Sequence, residues 1–285
     1  MTTIRQGEST VGAALEDLMA RLADQSDSAG LDAQQVLARV MDQPRSWVLA
    51  HLEAPLTSSR AAALERLANR LEKGEPLPYV LGRWEFFGLE FEITPDVLIP
   101  RPETELLVEG AIGWLQARPE RRRAADIGTG SGCIGIALAA SIPDLQVMGS
   151  DLSPAALKIA QRNAAKNGVE QRMEFICCDL LPAEAAYDLI VANLPYIPTQ
   201  TLHELPIYGR EPTLALDGGA DGLQLIRNLV NMAPERLLPG GLLLMEIESS
   251  EGPAALSLAY DAFSEAKIRL HKDLTGRDRL LEIQI

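Results

Sequence analysis

The sequence is short of cysteine, histidine and positive charge, and each shortage closes off a class of function. Three cysteines, Cys133, Cys177 and Cys178, stand in a chain of 285 residues with no framework spacing. That excludes a disulfide-stapled scaffold and fits buried thiols in a reducing compartment. The three histidines, His51, His203 and His271, are too scattered to set a metal-ligand spacing, so no metal is expected. Lys and Arg number 26 against 40 Asp and Glu, a formal net charge of −14, which argues against a non-specific grip on phosphate backbones. General nucleic-acid binding is not expected, and a local basic patch stays open. No apolar stretch reaches the length of a membrane span, and the start, MTTIRQGESTVGAALEDL, lacks the basic opening, apolar run and small-residue cleavage site of a signal peptide. The expectation is a cytoplasmic protein with no membrane partner.

What the sequence does have is ordinary globular chemistry, 47% hydrophobic and 23% charged, at a length that suggests two domains. Apolar residues recur at helical spacing in Leu15, Leu18, Met19 and Leu22, again in Val36, Leu37, Val40 and Met41, and again in Leu64, Leu67 and Leu71. Breaks between them divide the stretch into roughly four short helices, and Gly74, Pro76 and Pro78 end it. Residues 1–75 are thus expected to form a small all-helical domain. Trp84, Phe86, Phe87, Leu89, Phe91 and Ile93 around Gly88 predict a β-hairpin within a linker over residues 76–98.

From residue 99 to 285 short apolar strands alternate with amphipathic helices, the pattern of a mostly parallel sheet covered on both faces. Strands are expected at 124–127, 146–151, 173–178, 189–193, 242–247, 268–270 and 280–285. The last two are joined by residues 272–279, too few for a crossover helix, so they should pair antiparallel.

The loop Asp126-Ile127-Gly128-Thr129-Gly130-Ser131-Gly132 falls where the first strand turns into a helix, at the sheet edge where open parallel sheets bind ligands. Gly128, Thr129, Gly130, Ser131 and Gly132 are expected to bind a nucleotide cofactor. Asp126 would orient the loop and approach an amino-acid part of that cofactor. Asp151, nineteen residues after Gly132, would accept from two ribose hydroxyls. At the end of the third strand Asp179 would accept from an adenine amino group, with Leu180 beside the ring; a turn-capping role for Asp179 is equally compatible with the local sequence. Gly130, Gly132 and Gly135 also satisfy the dinucleotide fingerprint, which keeps a dehydrogenase open at this loop.

After the fourth strand comes Asn193-Leu194-Pro195-Tyr196, facing the reactive end of the same cofactor. Methylating a planar amide or an exocyclic amine is hard because the nitrogen lone pair is delocalised, so a site must hold that nitrogen in line with the methyl–sulfur bond. An Asn side-chain oxygen and the next backbone carbonyl can each accept one N–H of an –NH2 group. Pro195 stiffens the turn and Tyr196 offers a ring to stack on the flat group. Asn193, Pro195 and Tyr196 are therefore the candidate catalytic residues, Asn193 to Tyr196 the candidate substrate site, and Asn193 a cofactor contact as well. The cofactor this chemistry demands is S-adenosyl-L-methionine. Adenine N6 and glutamine amides both remain as acceptors, and a cofactor-binding adaptor with no activity is the reading from another class.

Other runs narrow the choice. Glu75 to Glu109, EPLPYVLGRWEFFGLEFEITPDVLIPRPETELLVE, with DIGTGSGCIGIALA, ANLPYIP, EPTLALDGGADGL from Glu211 and DLTGRDR from Asp273, resembles the release factor glutamine methyltransferases, the PrmC/HemK family, over nearly the whole chain. The resemblance implies an α/β fold: a Rossmann-like class I methyltransferase sheet with a C-terminal antiparallel hairpin, preceded by a helical substrate-recognition domain. It implies the glutamine of the Gly-Gly-Gln motif in class 1 peptide chain release factors as substrate, and N5-methylglutamine as product. Arg101, Pro102, Glu103 and Thr104 would line the cleft, with an ion pair between Arg101 and Glu103 as the structural alternative. Leu194 replaces the family's usual Pro, and Asn-Leu-Pro-Tyr is also similar to a form in ribosomal RNA adenine methyltransferases. Cys178 and Glu248 stand where Gly is common.

Overall fold

In the computed structural model, which describes residues 10–183 and 185–285, the chain separates into two units, residues 1–82 and 83–285. Residues 1–9, half of the amino-terminal segment inspected above for a leader, and Glu184 lie outside the described residues. No helix among the described residues is long and apolar enough to cross a membrane.

Among its described residues the first unit holds five helices, α1 (Val11–Leu22), α2 (Ala29–Met41), α3 (Arg45–Ala50), α4 (Ser58–Glu72) and α5 (Leu77–Leu81). Thr10 and Thr57 cap α1 and α4, their hydroxyls accepting from the amides of Ala13 and Arg60. The periodic residues Leu18, Val36, Leu37 and Met41 are buried. Arg21 of α1 reaches Glu72 and Glu65 of α4 at 2.7 and 2.8 Å. The unit ends seven residues beyond the boundary expected at residue 75. Pro76 and Pro78, read as breakers, instead start α5: Pro76 sits at its N-cap and Pro78 in its first turn, where a missing N–H costs nothing and the fixed φ is helical.

The second unit opens with the hairpin β1 (Arg83–Phe86) and β2 (Leu89–Glu92), paired antiparallel. It then runs α6 (Glu105–Gln116), β3 (Arg123–Ile127), α7 (Cys133–Ser141), β4 (Gln146–Asp151), α8 (Pro154–Lys166), β5 (Met173–Cys177), β6 (Tyr187–Ala192), α9 (Thr199–Leu202), α10 (Gln224–Met232), β7 (Leu237–Glu246), α11 (Gly252–Ala262), β8 (Lys267–Lys272) and β9 (Asp278–Gln284). The hairpin is no free linker. Buried Asn163 of α8 accepts from the Glu92 amide at 2.6 Å and donates to the Glu92 carbonyl at 3.0 Å, while Arg162 and Lys166 pair with Glu92 and Glu90.

The strand order is β5-β4-β3-β6-β7-β9-β8, with β9 inserted antiparallel between β7 and β8. The order reverses between β3 and β6, whose last residues, Ile127 and Ala192, lie opposite each other. Loops leaving such a switch point part to opposite sides and open a crevice. The glycine loop and Asn193 therefore start side by side. Cys177 is exposed, and Cys133 and Cys178 are partly exposed as residues although burial raises both their thiols, so the expectation of buried thiols fails at Cys177.

Candidate active site

Asp126, at the end of β3, is fully buried and organises the glycine loop from behind. Its Oδ2 accepts from the Thr129 hydroxyl at 2.6 Å and the Gly135 amide at 3.0 Å. Burial pushes its carboxyl up to about 6, with those two hydrogen bonds pulling the other way. Thr129 and Ser131 are buried, and the Ser131 carbonyl accepts from Asn163 at 2.9 Å. Gly132 caps α7 at φ +83°, where a side chain would also strike Ile136. Thr129, Ser131 and Gly132 thus set the loop's shape, while Gly128 and Gly130 line a cavity of about 280 Å³ at the sheet's edge.

Asp151, Asp179, Leu180 and Asn193 line the same cavity. Asp151 spends one lone pair of each oxygen inside the protein, Oδ2 on the Gly130 amide at 2.9 Å and Oδ1 on the Ser153 amide at 2.8 Å. The remaining lone pairs can accept from a ligand. Leu180 adopts a left-handed backbone at φ +57°, held there by the Ser150 hydroxyl donating to its carbonyl at 2.6 Å. Such strain on a non-glycine residue belongs to sites where the backbone must be placed, not merely connected. The cavity thus combines glycines of the loop with carboxylates at or just past strand ends, which fits S-adenosylmethionine.

In the same cavity, Asn193 Nδ2 donates to Thr104 Oγ1 at 3.0 Å, and that hydroxyl donates to Glu246 Oε2 at 2.7 Å. Asn193 Oδ1 takes no hydrogen bond from the described residues. Thr104 and Glu246 are each 2% exposed. Burial pushes the Glu246 carboxyl up to about 7, against the Thr104 hydroxyl and the nearby Arg279.

Leu194 is buried against Gly128, and its carbonyl takes no backbone bond from the described residues. Tyr196 and Arg101 line a second cavity of about 140 Å³ that shares Leu98, Asn193, Leu194, Pro195 and Ala215 with the first. Burial raises the Tyr196 phenol to about 12, so it stays neutral. The run from Leu216 to Gly222 wraps this turn: the Ile197 amide donates to the Leu216 carbonyl at 3.1 Å, the Ile197 carbonyl accepts from the Gly218 amide at 2.8 Å, and a side chain on Gly222 would collide with Glu251 Oε1 and the Tyr196 carbonyl.

Arg101 pairs with Glu211 at 2.5 Å rather than with Glu103. Glu211 is buried and also accepts from the Ile99 amide at 3.1 Å, which ties the segment before Thr104 to the loop after β6. Sequence reasoning missed Glu211 and Glu246. The available signal for Glu246 was a lone carboxylate closing the apolar run Leu242-Leu243-Leu244-Met245; a buried charge without a purpose is rare.

Residues 13–82 match the family model described as PrmC N-terminal domain, and residues 104–205 the one described as Methyltransferase small domain. A release factor glutamine methyltransferase of Bordetella pertussis is 41% identical over 252 residues, 88% of this chain and 93% of that one. One of Moorella thermoacetica is 40% identical over 274 residues, 95% and 96% of the two chains. Among solved structures, a methyltransferase from Pyrococcus furiosus superposes with a TM-score of 0.50 at 18% identity, covering 80% of this chain and 98% of that one, a likeness of fold. With this identity sustained from the helical unit through the sheet, the chain belongs to the release factor glutamine methyltransferase family.

Proposed function

We infer that the protein transfers a methyl group from S-adenosylmethionine to the side-chain amide nitrogen of a glutamine in a peptide chain release factor. The observation that carries this reading is the orientation of Asn193: one N–H of its amide donates to Thr104, which fixes the NH2 end on that hydroxyl and leaves Oδ1 as the acceptor for a substrate –NH2. The bound cofactor supplies a methyl group on positively charged sulfur, an electrophile whose departure leaves a neutral thioether.

Everything else falls to the chain's own residues. Gly128, Gly130, Asp151, Asp179 and Leu180 hold the cofactor in the cavity they line. Asn193 Oδ1 and the Leu194 carbonyl accept the two amide hydrogens, which fixes the plane of the glutamine amide and favours the positive charge that develops on nitrogen. Pro195 holds the turn, and the neutral Tyr196 ring covers the flat amide. No general base is needed for transfer, because the nitrogen becomes a strong acid only after it is methylated; the proton then leaves to solvent. The substrate is the glutamine of the Gly-Gly-Gln motif, and the helical unit, which carries none of these residues, docks the release factor.

The adenine reading draws on Leu194 alone, while the charge of −14 and the relatives' identity favour protein. The test supplies cofactor carrying a labelled methyl group to the enzyme with an unmethylated class 1 release factor and, separately, with ribosomal RNA. Label in the release factor is expected; label only in RNA would overturn the reading.

A further inference from the structure

We propose that Glu246 acts through Thr104 as a positioning residue: its carboxylate takes the only proton of the Thr104 hydroxyl, obliging that oxygen to accept from Asn193 Nδ2 and so presenting Asn193 Oδ1 to the substrate. The inference deepens the reading above and rests on it for the identity of the group presented with that oxygen.

The argument is one of proton counting. A hydroxyl has one proton and two lone pairs. Thr104 stands at the N-cap of α6, where a threonine ordinarily accepts from its own helix, yet it makes no such bond. Its hydroxyl is turned to Glu246 Oε2 at 2.7 Å and to Asn193 Nδ2 at 3.0 Å. With Glu246 ionised, Oγ1 donates to the carboxylate and can only accept from Asn193, which excludes the flipped amide. With Glu246 protonated, the carboxyl can donate to Oγ1, the freed hydroxyl proton can go to Asn193 Oδ1, and the amide can turn its NH2 towards the substrate. Two donors then face each other, and the glutamine amide loses its acceptor.

Glu246 lies on β7, and the groups around it come from every neighbouring element. Arg279 of β9 and Arg101 favour the ionised form and Glu103 opposes it. The Tyr196 phenol and the Cys133 thiol, both held neutral by burial, also feel its charge. Burial places its titration at about 7, so the relay is set above neutrality and released below it.

The experiment measures kcat against pH, at saturating cofactor and release factor, for the wild-type chain, Thr104→Val, Thr104→Ser and Glu246→Gln, with cofactor affinity measured in parallel. Wild type should lose turnover as pH falls through about 7. Thr104→Val should lower kcat by about 10- to 100-fold, the cost of a misplaced reacting group, without weakening cofactor binding, and Thr104→Ser should restore most of it. Glu246→Gln should lose the acid limb. Wild-type turnover in Thr104→Val, or an unchanged acid limb in Glu246→Gln, would overturn the proposal. Exchange of the Asn193 side-chain amide protons, followed by NMR, gives a readout without turnover, so a failure to methylate release factors would be told apart from a failure of the relay. Exchange should be slower in wild type above pH 7 than in Thr104→Val, and equal rates would count against the relay.

Discussion

Asn193 and Asp151 both face the cavity, but they differ in when their bonds count. In the proposed mechanism the Asn193 acceptor gains strength as charge develops on the substrate nitrogen, so Asn193→Ala should lower kcat by about 100-fold or more with cofactor affinity nearly intact. Single-turnover rates beside cofactor titrations check this, and near-wild-type turnover would contradict it. The ribose contact proposed for Asp151 would be the same in ground and transition states, so Asp151→Ala should raise the cofactor Kd by about 10- to 100-fold and leave kcat at saturation nearly unchanged. Asp151 also anchors the Gly130 amide and caps the turn at Ser153, so a small loss of thermal stability should accompany it. These residues stand out in a sequence because they sit at strand ends beside glycines. Glu246 and Glu211 do not, because their importance lies in burial and in partners 142 and 112 residues away, which no local pattern announces.

At the scale of elements, the alternation of strands and helices was legible because buried parallel strands read as short apolar runs, and the hairpin because aromatics flank a glycine turn. Less legible was where elements end. Pro76 and Pro78 look like terminators by composition yet begin a helix, since proline is excluded from helix interiors but suited to first turns. Nor could the sequence show that the hairpin is clamped by Asn163, whose third side-chain bond, to Ser131, links it to the glycine loop. The turn from Asp217 to Gly222 is read as glycine-rich, but its role depends on what it touches. At φ +79°, with Glu251 and the Tyr196 carbonyl in the way, Gly222→Ala should destabilise the unit by about 1–3 kcal/mol. It should also lower turnover more than cofactor affinity, because the displaced neighbour is the substrate turn. Denaturant unfolding and steady-state kinetics decide this; wild-type stability would show the turn to be slack.

For the molecule as a whole, the same burial that tunes the site sets the response to pH. Glu246 and Glu251, at about 7, and Asp126, at about 6, bind protons more tightly folded than unfolded. Stability should therefore rise as pH falls from about 7 towards the ordinary carboxylate range. Relief of the repulsion implied by a charge of −14 adds to this. Asp273, held at about 2 by hydrogen bonds from Thr275 and Arg277, works in the opposite sense, and its contribution disappears as pH falls below about 4. Melting temperature should peak around pH 5, while turnover rises towards and above neutrality; a melting temperature that climbs steadily from pH 5 to 8 would contradict the assignment of protons. Folding and catalysis thus place opposite demands on one buried carboxylate. The central claim, that this architecture exists to methylate one amide, is tested most directly by fragmenting the Gly-Gly-Gln peptide of a treated release factor in a mass spectrometer. The account predicts one added methyl group, on the glutamine side-chain nitrogen. A methyl group on any other atom, or none from an enzyme that binds its cofactor, would contradict it.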